Sequence, residues 1–183
     1  HGKVTAIVGA SGSGKTTLLK ILLKFYKPIS GAIKIGNVDL NSFHSNFWRS
    51  KCGVVMQDGF LFILSIARDI TESSVDGIID KEKLVQSVKI ANLEEFIESL
   101  PLGYNTKIGA SGSAISGGQK QRILIARAVY KNPEYLFFDE ATNALDASNE
   151  RIIMENLNQF FQSKTVVVVA HRLSTVKNAD NIV

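Results

Sequence analysis

The sequence predicts an α/β fold: a parallel sheet with crossover helices and a helical insertion in its middle. Three observations carry this. Short β-branched or aromatic runs (KVTAIV, GVVM, YLFF, TVVVV) alternate with helical patterns. From about Ser65 to Lys131 the pattern turns helical, broken by one turn-rich segment. A glycine-rich turn joins the first strand run to the first helix. The 183 residues suffice for one sizeable domain, or a core plus a small subdomain.

Taken in order, Lys3 to Val8 reads as a buried strand, and the helix LLKILLKF follows the glycine turn. GAIKIGNVDL reads as a strand and a turn around Gly36 and Asn37, and Gly53 to Met56 as another short strand. EKLVQSVKIANLEEFIESL is the clearest helical stretch of the insertion. The turn-rich LPLGYNTKIGASGSA interrupts it before a second helix opening on ISGGQK. Tyr135–Phe138 and Thr165–Val169 return to buried strands, with the amphipathic helix ERIIMENLNQFF between them. Residues 1–64 and 132–183 therefore form the expected core, and 65–131 the helical subdomain.

Composition is that of a soluble globular protein, with 45% hydrophobic and 21% charged residues. A net charge of +4 with both signs interspersed fits anionic partners and a solvated surface equally. The single cysteine, Cys52, rules out an internal disulfide, fits a reducing compartment and reads as a core residue. No apolar run approaches the roughly 18 residues of a membrane helix. The chain begins one residue before a strand and stops in the apolar pair IV, so a fragment of a longer protein is expected.

GASGSGKT, Gly9 to Thr16, matches the phosphate loop G-x-x-x-x-G-K-[ST], with strand before and helix after. Its glycines let the backbone curl around phosphate oxygens. Lys15 can reach the β- and γ-phosphates, and the Thr16 hydroxyl can ligate Mg²⁺. YLFFDEAT is an apolar strand ending in two carboxylates. Because strand side chains alternate, Asp139 is assigned to the Mg²⁺ shell and Glu140 to a water, as general base of a hydrolase. His171 follows the TVVVVA strand, at the sheet edge where ligands bind. It could reach a γ-phosphate or be structural. Gln57, after GVVM, could serve the site or be a polar loop residue.

ISGGQK poses a further question. Ser116 and Gln119 have the spacing of a capping box. Capping leaves Gly117 and Gly118 unexplained, since each costs a helix about 1 kcal/mol, and close approach to a second anion would offset that. Lys120, Arg122 and Arg127 follow, either near that anion or facing solvent.

In this order, GASGSGKT, Gln57 in VVMQDG, ISGGQKQR, YLFFDEAT, NALD and AHRLS resemble the nucleotide-binding domains of ABC transporters over nearly the whole chain. The stretch from LPLGYN to NALD is most similar to exporters, particularly bacterial peptide or bacteriocin exporters. The resemblance implies a P-loop NTPase core with an inserted helical signature subdomain, binding ATP and Mg²⁺ and hydrolysing ATP. It implies that Gly9, Ala10, Ser11, Gly12, Ser13, Gly14, Lys15, Thr16 and Thr17 cradle the phosphates, with Thr16, Asp139 and Gln57 at the metal. Glu140, His171, Gln57 and Lys15 would serve catalysis. It also implies a head-to-tail pair of such domains, with Ser116, Gly117, Gly118 and Gln119 reading the partner's ATP and Asp146 at the seam. A transmembrane domain would be the other partner, at the cytoplasmic face of the inner membrane, with no nucleic acid and the isolated fragment soluble.

Some features depart from the family pattern. The signature opens with Ile115 rather than leucine. Asn143 stands where serine is commoner, and little effect is expected. Ala110 and Ser111 stand where exporters often carry an acid. The adenine-stacking aromatic normally lies upstream of His1, which implies weak nucleotide binding. A soluble ABC ATPase acting on nucleic acid would need a long coiled-coil insertion between Gln57 and ISGGQ, and none is present. A translation-associated protein would carry tandem cassettes. A silent regulatory cassette fits poorly with intact Lys15, Asp139, Glu140 and His171.

Overall fold

The computed structural model of the chain describes residues 1–62, 64–74, 77–108, 115–170 and 176–183. Along the chain run β1 (Val4–Ile7), α1 (Lys15–Leu22), β2 (Lys34–Ile35), β3 (Val38–Asp39), α2 (Ser45–Ser50), β4 (Cys52–Val55) and α3 (Ile66–Ile70). There follow α4 (Lys81–Ile90), α5 (Glu94–Glu98), α6 (Gly117–Lys131), β5 (Tyr135–Asp139), α7 (Ala147–Phe160), β6 (Thr165–Val169) and β7 (Asn181–Ile182). Two compact units result: residues 1–54, 133–139 and 163–183, and residues 55–132 and 140–162. The sequence boundaries put 55–64 and 140–162 in the core; by contact these segments group with the helices, where α7 packs on α4.

In the first unit the sheet order is β4-β5-β6-β1-β7. The β5–β6, β6–β1 and β1–β7 pairs are parallel, as the alternating pattern predicts. Leu136, Phe137 and Phe138 are all buried, the near-continuous apolar run of a parallel strand rather than an alternating one. β7 is a strand that the sequence reading does not place; two residues pair with Thr5 and Ala6, and Val8 N–H donates to Val183 O (2.8 Å). GAIKIGNVDL forms the antiparallel hairpin β2–β3, turning at Gly36 with φ 59°. Cys52 is buried and unbridged.

The end of α1 is closed by side chains from α2 and its approach. Trp48 donates its indole N–H to Leu22 O (2.8 Å) and lies 4.9 Å from the Tyr135 ring. Lys24, at φ 59°, sends its ammonium to the carbonyls of Leu40, Asn41 and Phe43 (2.5–3.4 Å).

The second unit is built around α6. The expected helical stretch 82–100 is two helices, α4 and α5, because Asn92 takes φ 52° and ends the first. Arg122 and Arg127 do not simply face solvent. Arg122 donates to Asn92 O and Asn149 Oδ1. Arg127 pairs with the fully buried Asp69 carboxylate of α3 and donates to Asp69 O (3.0 Å) and Phe60 O (3.1 Å). Its guanidinium also stacks over Phe62. Burial pushes Arg127 down to about 10, so it remains a cation at neutral pH and a true counter-charge.

Asp69→Ala would leave that cation buried without its carboxylate. The expected loss is about 3–5 kcal/mol of stability, read as a lowered urea midpoint at unchanged slope.

Candidate functional site

In the first unit, the glycine turn after β1 curls as the phosphate-loop motif requires. Gly12 and Gly14 take φ 78° and 93°, a region closed to most side chains. A Cβ at Gly9 would approach Ser13 Oγ to 3.0 Å. Ser13 N–H closes the turn on Ala10 O (3.2 Å). The Lys15 ammonium folds back to Gly9 O (2.9 Å), Ala10 O (2.8 Å) and Ser13 Oγ (3.4 Å) and is 9% exposed. It therefore holds the curl itself. At the start of α1 the N-cap is Gly14, with no capping side chain and no acid in the first turn. The N–H end of the helix, with Thr16 and Thr17 in its first turn, is thus kept electropositive and open to an anion.

Strand register places Asp139 relative to this loop. Asp139 pairs with Val169, and Val169 with Ile7, so the three form one row across the sheet. Two inter-strand spacings make that row about 10 Å long. Asp139 is fully buried at the carboxyl end of β5, against which α1 packs. A buried carboxylate is stable only with a cation or donors around it. Paired with a hydroxyl such as that of Thr16, it is a hard-oxygen donor set suited to Mg²⁺, which commonly uses one or two protein oxygens plus phosphates. His171 lies outside the described residues, as do Ala110 and Ser111.

Gln57, Glu140 and Gly117 come together in the second unit. They line one cleft of about 220 Å³, with Lys120, Gln121 and Asn143. Strand geometry ends at Asp139, and Glu140 takes φ 52°, a left-handed conformation costing on the order of 1–3 kcal/mol. What separates the two carboxylates is this backbone turn as much as strand alternation. The turn is over-determined. Gln121, buried on α6, donates to Glu140 O (3.0 Å) and accepts from Ala144 N–H (2.9 Å). Asn143 N–H returns to Glu140 O (3.1 Å), and the Asn143 amide donates to the Glu140 carboxylate.

The capping box at Ser116 is present: Gln119 N–H donates to Ser116 Oγ (3.1 Å), and Ser116 N–H to Gln119 Oε1 (2.8 Å). Gly118 has a packing reason that the sequence does not reveal. A Cβ there would lie 3.1 Å from Ala144 O, so the glycine lets α6 meet this backbone. Gly117 stays exposed, its Cβ position 3.7 Å from that of Ala144. Asp146 caps α7, accepting from Asn149 N–H (2.9 Å) and its side-chain amide (2.6 Å). Sequence reasoning missed the roles of Gln121 and Asn143. Gln121 left one signal, a polar residue on the buried side of an otherwise apolar helix.

A family model described as ABC transporter matches residues 1–143. The chain belongs to that family. It is 49% identical over all 183 residues to the toxin RTX-I translocation ATP-binding protein of Actinobacillus pleuropneumoniae, covering 26% of that protein. It is 48% identical to the leukotoxin translocation ATP-binding protein LktB of Mannheimia haemolytica, again over 26% of its length. ABC transporter B family member 13 of Arabidopsis thaliana is 46% identical over 182 residues, of which the match covers 14%. The chain thus spans about a quarter or less of these relatives. Among solved structures, a bacterial Atm1-family ABC exporter with ATP bound matches 99% of the chain and 32% of that one, at TM-score 0.93 and 38% identity. The fold is therefore that of an ABC cassette. No described helix is long and apolar enough to cross a membrane.

In this cassette the Asn149 backbone donor, then its side-chain donor, hold the Asp146 carboxyl below the usual aspartate range. Its cap is therefore fully effective above about pH 4 and is lost as pH falls through the lowered value. NMR titration of the Asp146 carboxyl carbon should give a midpoint below that of free aspartate. Asn149→Ala, which keeps the backbone donors and removes the side-chain one, should return it part of the way.

Proposed function

We propose that the chain is the ATP-binding and ATP-hydrolysing domain of an ABC exporter, working as half of a head-to-tail pair. The observation that carries this is the phosphate loop opening on an uncapped helix, with buried Asp139 in register two strands away. The ATP-binding core would be residues 1–64 and 132–183, and the signature subdomain 65–131.

Gly9 to Thr17 bind the phosphates through backbone N–H groups, and Lys15 exchanges its loop carbonyls for phosphate oxygens. Thr16 and Asp139, with Gln57, would hold Mg²⁺, which would supply positive charge to offset the negative charge developing on the transferred phosphoryl group. Glu140 takes the proton of the attacking water as its oxygen bonds to the γ-phosphorus. The bond to the β,γ-bridging oxygen breaks and ADP leaves. His171 orients the water or the γ-phosphate. Ser116, Gly117, Gly118 and Gln119 read the partner's ATP, with Asp146 at the seam. The capping box is compatible with this role: Ser116 Oγ accepts from Gln119, and its hydroxyl hydrogen can still turn to donate.

The other partner is a transmembrane domain, which places the cassette at the cytoplasmic face of a membrane. Two relatives named for toxin or leukotoxin translocation support an exported cargo, and the resemblance of the stretch from LPLGYN to NALD to peptide exporters favours a peptide.

Glu140→Gln keeps the size of the side chain and removes the base. Turnover should fall about 10²–10⁴-fold, and sedimentation should show a dimer requiring Mg²⁺ and ATP. That dimer should disappear on adding Ser116→Arg. A Glu140→Gln chain that turns over at the unmodified rate would sink the assignment of the base. A dimer indifferent to Ser116→Arg would sink the reading of the signature.

A further inference from the structure

Asn143 is the residue whose side-chain amide donates to the Glu140 carboxylate. We propose that Asn143 is a positioning residue that fixes the rotamer of the Glu140 carboxylate for water activation. The inference rests on Glu140 being the base.

The geometry favours this over an incidental surface contact. Glu140 occupies a left-handed conformation, so its side chain leaves the backbone along a direction that ordinary strand residues do not use. Gln121 fixes that backbone from α6 by bonding both ends of the segment, at Glu140 O and Ala144 N–H. Thr142 is tied separately, through its hydroxyl to Glu150 Oε1 (3.2 Å). The backbone is thus held, while the Glu140 side chain beyond Cα keeps rotatable bonds that these contacts do not restrain. The Asn143 amide restrains them at one carboxylate oxygen. A carboxylate offers about four lone-pair sites, so it can accept from the Asn143 amide and from a water together. Both residues face the cleft that also holds Gln57. A serine at 143 has a hydroxyl on a shorter arm and would hold the carboxylate less firmly.

The test uses the full-length protein and measures ATP turnover, fluorescent-ATP affinity and thermal melting for Asn143→Ala, Asn143→Ser, Glu140→Gln and the double variant Glu140→Gln/Asn143→Ala. Asn143 is exposed, so Asn143→Ala should melt as the unmodified protein does. Its kcat should fall about 10- to 100-fold, the scale of a misplaced reacting group, with KM and ATP affinity within about twofold. With Mg²⁺, nucleotide retained through gel filtration should be ATP rather than ADP. Asn143→Ser should recover part of the rate. In the Glu140→Gln background, Asn143→Ala should cost nothing more, because it acts only through the carboxylate. An undiminished kcat in Asn143→Ala alongside a dead Glu140→Gln overturns the positioning role alone. So does a further tenfold loss in the double variant, or a fall in ATP affinity matching the fall in rate. A Glu140→Gln protein with unmodified turnover removes the base itself, and the inference with it.

Discussion

The second unit depends on polar side chains that leave α6 to satisfy backbone groups elsewhere. Gln121 serves the segment 140–144, Arg122 the end of α4, and Arg127 both α3 and the segment after Gln57. The Tyr130 hydroxyl accepts from Asp80 N–H at the start of α4 (3.1 Å). Loops and helix ends carry unpaired amides and carbonyls that must be satisfied when buried. Here one helix satisfies those of four segments, so their positions follow from α6. The apolar side of the same helix, through Ile123, Ile125 and Ala126, buries fully and fixes its rotation. The opening of α6 at Ser116 and the loop bearing Glu140 are consequently parts of one construction.

The first unit solves a different problem. Parallel strands of β-branched and aromatic residues make a sheet buried on both faces, and its chemistry can appear only at strand ends. Register then decides which ends are level. Ile7, Val169 and Asp139 share one row, which sets the loop after β1 and the carboxylate after β5 at a spacing given by the sheet. The glycines and Lys15 shape the loop locally; the sheet alone sets its distance to Asp139.

What the sequence made legible divides along the same line. Features set by neighbours in the chain were readable: the strands 135–138 and 165–169, the glycine loop, the capping box, the Gly36 turn. Features set by contacts between distant segments were not. The reason for Gly118 lies in a carbonyl 26 residues on, at Ala144. Arg122 and Arg127 look like solvated charges until their partners at Asn92 and Asp69 are seen. β7 is two residues long and exists only as an addition to β1, too short to announce itself by pattern. The break between α4 and α5 turns on one asparagine in a left-handed conformation, which the periodicity of both helices runs straight through.

The closure of α1 by Trp48 has an optical consequence. Trp48 is the only tryptophan in the chain, and it is buried. Its indole is bonded to the last turn of the helix whose first turn faces the phosphate loop, about 12 Å away along eight residues. Its ring rests against Tyr135, which begins the strand that Asp139 ends. Emission excited at the red edge of the protein band therefore originates from a single chromophore within the first unit. That chromophore touches both the helix that follows the glycine loop and the strand that ends in Asp139, so the protein has a built-in fluorophore for the sheet unit with no label attached.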